Sequence, residues 1–204
     1  MRTTLMPLYG AAMMLLSATV ASAEPPMPDV KGLVTPELVK TMREFIETDI
    51  VRMSVQAQND RLTKLDQAAI DKLDEQWKKE REDADKPLIA ATLSNPLSVY
   101  LARMQGRSLG LYAEIFVMDQ NGLNVGQSSI TSDFWQGDEG KFQNTFDVGK
   151  DALFVDEPEW DEDNKIWRNQ VSFTLNDASG AKQIGAVTVE LNLTELERRA
   201  QAGS

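Results

Sequence analysis

From Tyr112 onward the apolar residues stop recurring every three or four positions and begin to alternate with polar ones, a change of period that demands antiparallel strands. Val171, Phe173 and Leu175 take one side while Ser172, Thr174 and Asn176 take the other. After a turn at Asp177-Ala178-Ser179-Gly180 the pattern repeats, with Val187, Val189 and Leu191 against Thr188, Glu190 and Asn192. Upstream, Ala113 to Met118 reads as a strand, Asp119-Gln120-Asn121-Gly122 as its turn and Leu123 to Ser128 as the returning strand. Ala152 to Val155 reads as a further strand that ends in the acidic loop Asp156 to Asp163. Asp133 to Phe146 mixes four aromatic residues with polar ones and glycines, which suits a short helical crossover.

The residues before Tyr112 carry helical signals. Thr35 is placed to cap a helix with Pro36 at its first position and Glu37 in its first turn. Val39, Met42, Ile46, Ile50, Met53 and Ala57 then form one stripe, predicting a single long helix. A second helix begins after Asp66, with Ala69, Leu73 and Trp77 on one face and a solvated charged tail from Lys78 to Asp83. Pro87 reads as punctuation, and Asn95 caps a third helix carrying Leu97, Tyr100, Leu101 and Met104, closed by Gly106 and Gly110. Together these elements predict an α+β fold, a PAS-like five-stranded antiparallel sheet with the long N-terminal helix on one face and the short crossover helix on the other.

Residues 1–23 are set apart from that fold. They hold one charge, Arg2, an apolar run from Met6 to Leu16, and Ala21-Ser22-Ala23, the small-x-small pattern cut by signal peptidase. The expectation is a signal peptide cleaved after Ala23 and a periplasmic product, the alternative being an uncleaved anchor. The rest of the chain divides into a helical region, 24–110, and a PAS-like region, 111–204. No later apolar run nears the ~18 residues that span a bilayer.

Composition removes whole classes of chemistry. The chain of 204 residues has no Cys and no His, so thiolate or imidazole metal sites, disulfides and Ser-His or Cys-His catalysis are excluded. With 21 Lys plus Arg against 32 Asp plus Glu the net charge is −11, which argues against nucleic acid as a partner. No nucleophile elbow, Ser-x-x-Lys or phosphate-binding glycine loop is present, and adjacent carboxylates such as Asp138 and Glu139 seldom converge on one bond. The expectation is therefore not an enzyme, with no cofactor.

A resemblance enters at three segments: Leu111-Tyr112-Ala113-Glu114-Ile115-Phe116-Val117-Met118-Asp119, then Gly122-Leu123-Asn124-Val125, then Thr131-Ser132-Asp133-Phe134-Trp135-Gln136-Gly137-Asp138-Glu139. These resemble the periplasmic Cache sensor family, also called PDC sensors, and Asn169 to Leu193 is similar to that family's last two strands. The likeness covers roughly residues 35–193 and is most specific from Tyr112 to Glu139. It implies a small ligand held between sheet and crossover, a signal carried by the long N-terminal helix, and a membrane partner such as a histidine kinase, chemoreceptor or cyclase. Typical members are the outer parts of such receptors; here the module reads as a free-standing single-domain version.

Asp133, Phe134, Trp135, Asp138 and Glu139 bring two aromatics and three carboxylates together, a density suited to caging an amine-bearing ligand. In this reading Trp135 stacks on the ligand while Asp133 and Asp138 take its positive end, with Phe134, Tyr112 and Trp160 as further wall residues and Trp160 as a lid. The alternative is that Trp135 plugs the core and Asp133 caps the crossover helix. No Arg lies in this stretch to clamp a carboxylate, though Lys141 or Arg168 could supply that charge. The acidic loop does not match EF-hand spacing and reads as solvated, with no metal. Two functions compete: a periplasmic small-molecule sensor reporting to a membrane signalling protein, and a ligand-free dimerisation or docking module. A homodimer through the N-terminal helix fits either.

Overall fold

The computed structural model describes residues 24–202; the leader expected over 1–23 lies outside the described residues. After a short turn of helix α1 (Val30–Leu33), α2 (Pro36–Ile46) starts where expected, with the Thr35 hydroxyl accepting from Leu38 N at 3.2 Å. The long helix then breaks. At Glu47-Thr48 the backbone leaves the helical region, and α3 (Asp49–Leu62) restarts with a different face inward. Val51 and Val55 are buried, whereas Met53 is 71% exposed and Ala57 points to solvent. The break is held by Arg52, which donates to Glu47 O at 2.6 Å and to Asn176 O at 3.3 Å. It also lets Asn59 reach Ile184 O, at 2.7 Å, on the sheet.

Helix α4 (Gln67–Glu82) is capped by Asp66 as expected. Its charged tail is not simply solvated, however. Glu80 is 5% exposed and accepts from Leu88 N at 2.8 Å and Ile89 N at 3.0 Å, capping α5 (Pro87–Ser94), a helix where the sequence shows only the punctuation of Pro87. Asn95 caps α6 (Pro96–Arg107) by accepting from Ser98 N at 2.8 Å.

Strands β1 (Tyr112–Met118) and β2 (Asn124–Gln127) form the expected hairpin. In its turn Asp119 accepts from Asn121 N and Leu123 N, and Gly122 takes a φ of +77° while lying against Gly137 so closely that a Cβ would come within 2.7 Å of Gly137 Cα. The crossover is mostly irregular. Its one helix, α7 (Gly140–Gln143), begins after Glu139, so Asp133 caps no helix. β3 (Leu153–Val155) comes next, and within the acidic loop β4 (Glu159–Asp161) adds a sixth strand to the five expected. Both pair with β5 (Ile166–Asn176), which pairs with β6 (Gln183–Asn192), and α8 (Leu193–Ala202) ends the described chain. The fully antiparallel order β2-β1-β6-β5-β3 is a PAS-like sheet.

Strand alternation sorts the two faces. Ile115, Val117, Val171, Phe173, Val187, Val189 and Leu191 pack under Met42, Ile46, Val51, Val55, Leu97 and Leu101 to form the main core. The opposite face carries a small apolar cluster, Phe116, Met118, Ala186 and Phe142, and then turns polar toward β5. A satellite core gathers Ile70, Trp77, Ile89, Leu123 and Phe134 around α4 and α5. Among the described residues no helix is long and apolar enough to cross a membrane. Replacing Glu80 by Ala leaves the part-buried Leu88 amide and the buried Ile89 amide of α5 without that acceptor; urea unfolding should show a loss of about 1–3 kcal/mol.

Candidate functional site

The polar end of the second sheet face is where charge collects. Glu114 on β1 and Glu190 on β6 are register partners, and Gln170 on β5 lies across from Glu190. Two carboxylates directly opposite on adjacent strands repel each other, so such a pair weakens a sheet unless cations answer it. Arg168 supplies one, its guanidinium 3.0 Å from Glu190 and paired on its other side with Asp161 on β4. Lys141 on α7 supplies the second. It pairs with Glu139 at 2.8 Å, donates to Gln136 Oε1 at 3.2 Å and lies over the Phe116 ring. Burial pushes the Glu114 carboxyl above its usual range, against the hydrogen bond donated by Ser129 Oγ at 2.6 Å and with the help of the Glu190 charge.

Between this row, α7 and the β3–β4 connection lies a hollow of about 200 Å³. Five carboxylates (Glu139, Asp156, Glu157, Glu159 and Glu190) and two cations (Lys141 and Arg168) line it, with Asn169 and Gln170. Its surplus of negative charge attracts a cation, and its size excludes a large one. Beneath it two buried atoms of lining residues, Arg168 Nε and Asn169 Oδ1, have no hydrogen-bond partner among the described residues.

The residues singled out from sequence are dispersed by the fold. Asp133, Phe134 and the Trp135 backbone are clasped by one face of α4. Asp74 Oδ1 accepts from Phe134 N at 2.9 Å and Trp135 N at 3.0 Å, Trp77 Nε1 donates to Thr131 O at 3.0 Å, and Arg81 donates to Ser132 O. Lys78 bridges Asp74 at 2.7 Å and Asp133 at 2.9 Å, which carries the Lys78 ammonium above its usual range. Burial opposes ionisation of Asp133, but the Ser132 hydrogen bond and Lys78 outweigh it and hold that carboxyl low. Phe134 is buried, stacked on Trp77 with ring centroids 5.2 Å apart. The Trp135 indole donates to Asn121 O at 2.9 Å and walls a second hollow on the other side of α7. Asp138 is exposed and lines neither hollow. Tyr112 packs on Phe45 in the helix-side core, where burial raises its phenol and Arg199 counters the shift. Trp160 pairs in register with Trp167 and packs against it, facing the helix-side core, while its neighbour Glu159 lines the charged hollow.

No family model and no curated protein matches the chain. Among solved structures it is similar to the sensory domain of the Campylobacter jejuni chemoreceptor Tlp3, at 13% identity and a TM-score of 0.40 over 79% of this chain and 65% of that one. It is also similar to the ligand-binding domain of the Pseudomonas aeruginosa amino acid chemoreceptor PctC in complex with GABA, at 13% identity and TM-score 0.36, covering 78% and 62%. A third is the Vibrio cholerae histidine kinase DctB sensor domain, at 13% and 0.36, covering 79% and 57%. The chain thus spans less than two thirds of the length of each of these domains.

In the sequence Lys141 and Arg168 read only as spare positive charge. The signal for Glu114 and Glu190 is weaker still: each is a charge within an alternating apolar strand, and only the pairing of β1 with β6 brings them together. Asp74→Ala removes the acceptor of two loop amides. Hydrogen exchange at Phe134 and Trp135 N–H should accelerate selectively, with a stability loss of about 2–4 kcal/mol.

Proposed function

We propose that this chain is an extracytoplasmic sensor domain that binds a small, amine-bearing ligand in the charged hollow and reports to a membrane signalling protein such as a histidine kinase, chemoreceptor or cyclase. The observation that supports it most is the lining of the hollow, where five carboxylates meet only two cations, Lys141 and Arg168. That surplus of negative charge around a small cavity favours a compact positive ligand. In this reading Glu190, Glu157 and Glu159 receive the ammonium, and Asn169 and Gln170 hold the ligand's polar remainder. Export ahead of Glu24 belongs to the same proposal. So does pairing of two copies through α2 and α3, which would cover the exposed Met53.

A thermal-shift panel of amines, diamines, amino acids and purely anionic acids tests the assignment. A true ligand at a hundred times its Kd adds about 2.7 kcal/mol to stability. Amine-bearing compounds should raise Tm, and Glu190→Gln should abolish the rise. Silence across the panel would favour the ligand-free docking module instead.

The pH dependence has a definite sign. Because burial raises Glu114 in the folded state, the folded chain holds that proton more tightly than the unfolded one, so its contribution to stability is present at low pH and is lost as pH rises through the raised pKa. Glu114→Gln should therefore raise Tm by a few degrees at neutral pH, and the gain should vanish below the ordinary Glu range of about 4. Melting curves of both forms across pH check this.

A further inference from the structure

The second hollow, about 440 Å³, lies across α7 from the charged one; Lys141 lines one and the next residue, Phe142, lines the other. Their chemistry is opposite. Trp135, Phe142, Phe146 and Ile70 wall the second hollow with Asn121, and Lys64 is the only charged residue among its described lining. Its lining carries one cation and no carboxylate among the described residues, in contrast to the five carboxylates of the charged hollow. Of the carboxylates flanking Lys64 in sequence, Asp60 accepts from the Gln56 side chain and Asp66 from Ala69 N, and Lys64 makes no ion pair among the described residues.

The aromatic wall is built in advance. The Trp135 backbone is pinned by Asp74, its indole by Asn121 O, and its ring lies so close to Gly137 that a Cβ there would come within 2.4 Å of Nε1. Phe142 and Phe146 stack with centroids 5.1 Å apart. Side chains held this way lose little freedom when a ring settles against them. We propose that this hollow is a binding site for an aromatic monocarboxylate, its ring seated among Trp135, Phe142 and Phe146 and its carboxylate at Lys64. The ammonium and the anionic head complement each other, as the flat apolar walls and the ring do.

The test uses phenylacetate and phenethylamine, which share a ring and differ in the sign of their head group. In an NMR titration of the protein, phenylacetate should shift the Trp135 indole N–H and the Phe142 and Phe146 rings, and phenethylamine should bind there about tenfold more weakly. Lys64→Glu, a change at an exposed loop position, should reverse that preference while leaving the melting curve and any amine binding at Glu190 unaltered. Trp135→Leu should abolish the binding of both compounds. Equal binding of the two compounds, no reversal in Lys64→Glu, shifts confined to other residues, or no binding of phenylacetate would each overturn the assignment. Because Glu190→Gln tests the charged hollow separately, failure of one site is distinguishable from failure of the other.

Discussion

Alternation along β5 and β6 puts Val171, Phe173, Val187, Val189 and Leu191 into one apolar layer beneath the N-terminal helices and leaves Arg168, Gln170, Ser172, Thr188 and Glu190 on the far side. The apolar layer supplies the main drive to fold, since each fully buried aliphatic or aromatic side chain contributes about 1.5–3 kcal/mol. The polar layer arises from the same pleat. Near its centre Ser172 and Thr188 satisfy each other at 2.9 Å, but toward β4 the row becomes carboxylates and cations that need a neighbour above the sheet. That requirement is what α7 and the β3–β4 connection meet, and the charged hollow lies where they meet it incompletely.

The crossover has too little regular structure to hold itself in place, with four residues of helix in α7 and an isolated bridge from Leu123 to Trp135. Helix α4 holds it from outside the sheet. Asp74, Trp77, Lys78 and Arg81 recur at helical spacing and all engage residues 131–135, so one helix face fixes the segment that leads into α7. Charge and aromatic surface that look like a ligand cage in sequence are thereby committed partly to structure: Asp133 to Lys78, Phe134 to Trp77. The Trp135 indole, held at its edge, is the part that still faces a hollow.

Local signals carry far into the fold. Thr35, Asp66 and Asn95 cap the helices expected of them because a cap depends on a side chain and an amide three residues away. The β1–β2 hairpin and the β5–β6 pair are equally local, set by turn residues and period two. The departures from expectation share one cause. The stripe from Val39 to Ala57 is continuous in sequence, yet α2 and α3 break at Thr48 because each seats against a different part of the sheet. Glu80 reads as solvated charge in the sequence, and only the folding back of α5 places two amides on it.

The amino-acid sequence by itself determined the α+β class, the caps, the strand periods, the acidic balance and the absence of thiol and imidazole chemistry, all of which depend on residue type or short spacing. Tertiary structure alone decided which charges meet. Glu114 and Glu190 are 76 positions apart and face each other only because β1 pairs with β6, and Asp74 reaches Phe134 N, 60 positions away, only because α4 lies against the crossover. Contacts of that range depend on how whole elements pack, and no periodicity within a single element encodes them.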